Sequence, residues 1–193
     1  MTKRDVGPVE ELGGRIEEHA GKEFSVEVME GSDGVASMKG EEVALWVKGA
    51  MERLDALVEE GTRVRIMTSC GRNCAEMNRR PIEMAVKRRA KHGSLDEFIK
   101  SEIRKPMKGT RLERKGAVIY QYYTPSTFRP GLRCYCSLVS GLPASEVISS
   151  TYCGCGKGFV ESYWEAVVGR PVSVEILESS ISGASECKFK VRL

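Results

Sequence analysis

The sequence has no long uncharged apolar run. Nothing in it approaches the roughly 18–20 consecutive apolar residues that a bilayer-spanning helix needs, so no membrane span is expected. The N-terminal residues Met1-Thr2-Lys3-Arg4-Asp5 lead into Pro8-Val9-Glu10-Glu11 without the apolar core of an export signal, which points to a cytoplasmic location. Histidine is scarce: His19 and His92 are the only two, both in polar surroundings and without a local Cys–His signature for nucleophilic catalysis. The phosphate-binding pattern G-x-x-x-x-G-K-[ST] is absent, as are internal repeats and low-complexity segments.

What is present has ordinary globular proportions. The chain has 193 residues, 41% hydrophobic and 30% charged, enough for one domain with a sizeable core. The net charge of +3 conceals an asymmetry. Residues 1–62 carry 15 acidic residues against 7 basic ones, and residues 70–115 carry 14 basic against 6 acidic. A basic stretch over 79–115 is a candidate nucleic-acid contact, but no helix-turn-helix or zinc-finger spacing accompanies it, and a face turned to solvent or to the acidic N-terminal part is the plainer reading.

The periodicities place the elements. Residues 1–38 offer few strongly periodic apolar positions and are expected to be weakly structured, with a short helix over 8–21 and a strand at 24–28. Val43, Trp46, Val47, Ala50, Met51, Leu54, Leu57 and Val58 form a helical stripe over 41–60, stopped at Gly61. Helical character resumes over 72–105, with Pro81 kinking it or marking a first turn, and Ser94…Glu97 forming a capping box. A hairpin is expected from 112–114 and 117–123 turning at Lys115-Gly116, then a strand at 132–139. Phe159, Val160, Tyr163, Trp164, Val167 and Val168 define a helix that Gly169 and Pro171 end. Strands at 172–177 and 187–193 follow, the last with Cys187, Phe189, Val191 and Leu193 on one face. The whole reads as an α+β domain spanning 39–193: N-terminal helices packed on a mostly antiparallel sheet, built from 110–193, with one crossing helix near the C-terminus.

The chemistry-bearing residues are cysteines. Six of the seven come as pairs, Cys70/Cys74, Cys134/Cys136 and Cys153/Cys155, and the seventh, Cys187, faces inward on the closing strand. In a reducing compartment clustered thiols more often bind metal or do redox chemistry than form disulfides. Cys153, Cys187, Cys155, Cys134 and Cys136 are the candidate metal ligands, for zinc or, with four thiolates, for iron or an iron–sulfur cluster. Cys70 and Cys74, on a separate helix, form a secondary thiol pair. The bland alternative is that each thiol is a small buried hydrophobe. Gly156-Lys157-Gly158 at a helix start makes Lys157 and Gly158 a candidate anion site, weighed evenly against a glycine turn that only allows close backbone approach. Tyr120, Tyr122, Tyr135 and Trp164 are candidate walls of a pocket for an aromatic or hydrophobic ligand, although aromatics at such spacing are more often core.

Cys153…Gly158-Phe159, the helix after it, Gly169-Arg170-Pro171, and Gly183 followed by Cys187-Lys188-Phe189 resemble the 4-vinyl reductase domain superfamily, which includes the sensing domains of phenol-responsive regulators. A weaker likeness, through the same Gly…Cys-x-Phe ending, is to L-2-amino-thiazoline-4-carboxylic acid hydrolase-like proteins. The first resemblance implies a small-molecule-binding or sensory domain that signals through a partner or a homodimer; the second implies a hydrolase of small cyclic or thio-substrates. In the phenol sensors a structural zinc is held by three cysteines and a glutamate. Carried over, the first and last cysteines fall on Cys153 and Cys187, the glutamate on Ile176 and the middle cysteine on Ser179. Two ligands are kept and two replaced, so the resemblance implies that site only if Cys155, Cys134, Cys136 or Glu178 completes it.

Overall fold

Main-chain packing and local capping explain most of the architecture. The computed structural model describes residues 7–193. Helices α1 (Gly7–Ala20) and α2 (Lys22–Val28) and a 3-10 turn at Ser32–Ser37 precede α3 (Gly40–Leu57), α4 (Glu60–Met77), α5 (Arg80–Arg89) and α6 (Leu95–Arg104). The hairpin β1 (Thr110–Lys115) and β2 (Val118–Tyr123) follows, then the single turn α7 (Pro125–Phe128) and a long irregular segment. The chain closes with α8 (Gly154–Val168), β3 (Ser173–Glu178) and β4 (Cys187–Arg192). All strand pairs are antiparallel, in the order β1-β2-β4-β3. No helix among the described residues is long and apolar enough to cross a membrane.

Locally specified ends fall where the sequence places them. Pro81 lies in the first turn of α5, where its missing N–H costs nothing. The Ser94 hydroxyl accepts from the Glu97 N–H at 3.2 Å to start α6. Gly169 ends α8 at φ 74°, a conformation that glycine adopts without penalty.

Three expectations are corrected. Residues 24–28 form α2 rather than a strand: a five-residue alternation fits either period, and here Ser25 and Val28 are buried while Val26 faces water. Residues 132–139 are irregular rather than a strand. The Arg133 guanidinium donates to the carbonyls of Pro143, Glu146 and Ser180, and these bonds replace a strand ladder. Gly61 does not stop α3; the break comes at Val58-Glu59, and the Glu59 carboxylate caps α4 by accepting from the Thr62 N–H at 3.0 Å.

The described part of 1–38 is helical, and its apolar side chains are used. Val9, Leu12, Ile16, Val28 and Val35 are buried in one core with α3, α4 and the irregular segment's Leu138, Val139 and Leu142. A second core lies between α8, α5–α6 and the inner sheet face, where Phe98, Ile119, Trp164, Phe189 and Val191 are buried. There the Trp164 indole N–H donates to Gln121 Oε1 at 2.7 Å.

Candidate functional site

The two cores meet along α4 and α8, the most extensive interhelical contact among the described residues. Three glycines set its closeness. Gly158 lies against the Thr68 carbonyl and the Arg72 N–H, Gly154 against the Met67 side chain, and Gly71 against the Cys155 carbonyl. A side chain at any of the three would meet the opposite helix. Gly158 is therefore committed to helix packing, and Lys157 reaches Glu161, one turn on, at 3.8 Å. Close backbone approach accounts for the glycine-rich motif, and the geometry gives the candidate anion pair Lys157 and Gly158 no further support.

That close approach joins thiols that are far apart in sequence. Cys70 and Cys74 come from α4, Cys134 and Cys136 from the irregular segment, Cys153 and Cys155 from the start of α8, and Cys187 from β4. All seven are free thiols. Cys70, Cys74, Cys136 and Cys155 are close enough to couple electrostatically, as are Cys134, Cys153 and Cys187. The Cys136 N–H, 3.5 Å from the Cys134 sulfur, links the two groups. The secondary pair Cys70/Cys74, which the sequence sets apart, belongs to the same assembly.

Within it one thiol differs from its neighbours. Hydrogen bonding to the Cys155 thiol, together with the Asn78 Nδ2 donor at 3.6 Å, holds Cys74 down to about 7 against partial burial. The same bond, and then burial, pushes Cys155 well above the ordinary thiol range. Burial pushes Cys70 and Cys134 up to about 12 and Cys153 up to about 11. These three are neutral thiols at neutral pH, as desolvation of a charged form requires.

The donor set fits a closed metal site poorly. The Cys153 sulfur lies 2.6 Å from the Ser179 hydroxyl, so the first and middle ligand positions implied by the resemblance are indeed neighbours, but the second is an alcohol. Cys187 meets the Ser180 hydroxyl at 3.4 Å, and Cys136 meets the Tyr152 hydroxyl at 3.0 Å. Among the described residues no three His, Cys, Asp or Glu side chains are grouped to hold a metal ion. Zinc requires four converging donors; here each of these sulfurs turns to an oxygen.

The aromatic candidates do not share one pocket. Tyr120 and Tyr122 lie on the outer sheet face; the Arg111 guanidinium covers the Tyr122 ring at 3.3 Å, and Lys188 lies within 5.7 Å of the Tyr120 ring. Trp164 is on the opposite side, in the core. Tyr135 packs edge-on against Tyr123 and Phe128 and donates to the Gly109 carbonyl at 3.0 Å. The period of two in β2 sends Tyr120 and Tyr122 one way and Ile119, Gln121 and Tyr123 the other, a division legible in the sequence.

An aromatic-walled cleft does exist, on the inner side. It is a narrow space of about 50 Å³ walled chiefly by Leu112, Tyr123, Phe159 and Tyr163, with Pro81 and Met107 at its rim. At its polar end the Glu102 carboxylate is buried and takes a two-pronged bond from Arg88, both contacts 2.9 Å. Burial, then the Glu102 charge, pushes the Tyr163 hydroxyl up to about 12, so it is a neutral donor. Sequence reasoning passed over Glu102; Tyr123 and Tyr163 stood among the aromatics gathered in the C-terminal half that could line a pocket, but were not singled out as its walls. The available signal was the inward period of β2 and the buried face of α8.

A family model described as a family of unknown function (DUF6144) matches residues 8–193. No curated protein matches the chain. Among solved structures, the phenol-responsive sensory domain of the transcription activator PoxR, crystallised with phenol, is similar at 15% sequence identity. The match covers 80% of this chain and 74% of that chain, with a TM-score of 0.40.

Proposed function

The chain belongs to DUF6144, a family of unknown function, and from that premise we propose that it is a small-molecule-binding domain whose ligand enters the cleft between α8 and the inner face of β1–β2. The observation that carries the reading is the cleft's composition: apolar and aromatic walls, with the Arg88–Glu102 pair and the Tyr163 hydroxyl fixed at one end. Ligand pockets are built in this way, with a few placed polar groups to orient an apolar body. The matching ligand is small and uncharged, with an apolar ring and one hydroxyl directed at Glu102 or Tyr163. The space of about 50 Å³ is smaller than the roughly 150 Å³ that admits benzene, so a ring must displace a wall. Met107 is the wall that yields: it is 42% exposed, unbranched and flexible. A sensory role, with the signal passed to a partner or a second copy, fits the resemblance of 153–193 to the 4-vinyl reductase superfamily.

The nucleic-acid reading loses part of its basis. Arg88 is committed to Glu102, Arg79 to Glu83 at 3.4 Å, and Arg89 to the His92 carbonyl at 3.0 Å.

Thermal unfolding with millimolar phenol, benzyl alcohol or cyclohexanol tests the proposal. Ligand at a hundred times its dissociation constant adds about 2.7 kcal/mol, a rise of roughly 5–10 °C for a chain of this size. Leu112→Phe, which fills the cleft from β1, should abolish the rise while leaving the unliganded circular dichroism spectrum unchanged. No rise with any of the three compounds, or an equal rise in Leu112→Phe, would overturn the assignment.

A further inference from the structure

Cys74 and Cys155 stand apart from the other cysteines in where their sulfurs point. Cys136 turns to the Tyr152 hydroxyl, Cys153 to Ser179 and Cys187 to Ser180. Cys74 and Cys155 are hydrogen-bonded neighbours across a helix interface at which Gly71, one turn before Cys74, packs directly on the Cys155 main chain. Both residues are partly exposed. Asn78, at the end of α4, adds a side-chain N–H on the Cys74 sulfur at 3.6 Å.

We propose that Cys74 and Cys155 form a hydroperoxide-reactive dithiol, in which Cys74 is the attacking sulfur and Cys155 the resolving one, giving a disulfide that ties α4 to α8. The Cys74 thiolate attacks the terminal oxygen of a hydroperoxide ROOH. The S–O bond forms as the O–O bond breaks, and ROH leaves after taking a proton. Cys74 is then a sulfenic acid. The Cys155 sulfur attacks the Cys74 sulfur, the S–S bond forms, the S–O bond breaks, and water leaves with the Cys155 proton. In sum, two thiols and ROOH give a disulfide, ROH and H₂O. The Asn78 N–H and the neighbouring Cys155 thiol favour the ionised Cys74 nucleophile, and Cys155 is the thiol already beside it when the second bond forms. This chemistry is independent of the cleft.

The test is oxidation of the full chain with one equivalent of hydrogen peroxide, followed by alkylation, trypsin and mass spectrometry. Cleavage after Arg72 and Arg79 isolates Cys74 in peptide 73–79, apart from Cys70 in 66–72; Cys155 lies in 134–157. The expected product is 73–79 joined to 134–157, lighter by two hydrogens than the separate peptides, with fragmentation placing the bond at Cys155. In Cys155→Ser the link should vanish and a sulfenic-acid trap such as dimedone should mark 73–79. In Cys136→Ser the link should persist. Oxidation that spares Cys74 while other thiols react, or a link surviving in Cys155→Ser, would overturn the proposal. Fragmentation of the wild-type product assigns the partner directly, so the outcome stands even if a variant misfolds.

Discussion

The α4–α8 contact is exposed to a single methyl group. In Gly71→Ala the new Cβ would sit 2.8 Å from the Cys155 carbonyl carbon and 3.0 Å from its Cα, and closer still to the carbonyl oxygen. Carbon atoms pack at about 3.5–4.0 Å, so the helices must separate by close to 1 Å. Both opposing surfaces are main chain, so no side chain can rotate away. Separation also loosens Gly158 from Thr68 and Gly154 from Met67 along the same seam. Overpacking costs about 1–3 kcal/mol and occasionally more, and a rigid contact belongs at the upper end. Against it, replacing glycine by alanine within a helix returns about 1 kcal/mol. The expected net loss is about 2 kcal/mol. At a urea slope of about 1–3 kcal/mol per molar, the midpoint should fall by about 1 M with the slope unchanged. Urea titration followed by circular dichroism measures this. Gly14→Ala is the control: Gly14 lies within α1, nothing stands within 4 Å of its added methyl, and the midpoint should rise. A Gly71→Ala midpoint equal to or above wild type would refute the reasoning, because the interface would then have slack that the geometry denies.

The N-terminal helices should matter to the whole fold. Ile16 is 0% exposed, and Ile16→Ala is expected to cost roughly 2–5 kcal/mol in the same titration; a loss under 0.5 kcal/mol (about the limit for surface changes) would show α1 to be dispensable. The thiols make stability depend on pH in two windows. Cys74, held down to about 7 from 9.0, keeps fewer protons folded than unfolded between those values, so its contribution grows as pH rises through that range and is lost toward pH 7. Cys153, raised to about 11, and Cys70 and Cys134, raised to about 12, do the reverse: their contribution is full below pH 9 and fades as pH climbs to 11–12. Urea midpoints from pH 6 to 11 should thus fall above pH 9, more steeply in wild type than in Cys70→Ala. A parallel fall in the two proteins would argue against burial of Cys70 as the cause.

What the sequence determined by itself is what short-range chemistry controls. Gly169 and Pro171 end α8, Ser94 caps α6, Pro81 opens α5, and Gly116 turns the hairpin whose strands pair Lys115 with Val118. The alternation Cys187, Phe189, Val191 sets the inward face of β4 before any partner is known. Even the separation of Tyr120 and Tyr122 from Trp164 was written in the period of β2. Tertiary structure decided what no local pattern encodes. The alternating residues 24–28 became helical and 132–139 irregular, because hydrogen-bond partners from distant segments were available to them, Gly13 for Ser25 and the carbonyls around Arg133. Cys74 met Cys155 for the same kind of reason. Glycines at 154 and 158 share one helix face by their spacing, but only the arrival of α4, with Gly71 opposite, turned that face into a contact. The sequence supplies seven thiols; which of them face each other depends on how closely two backbones approach, and that distance is a property of the folded pair of helices.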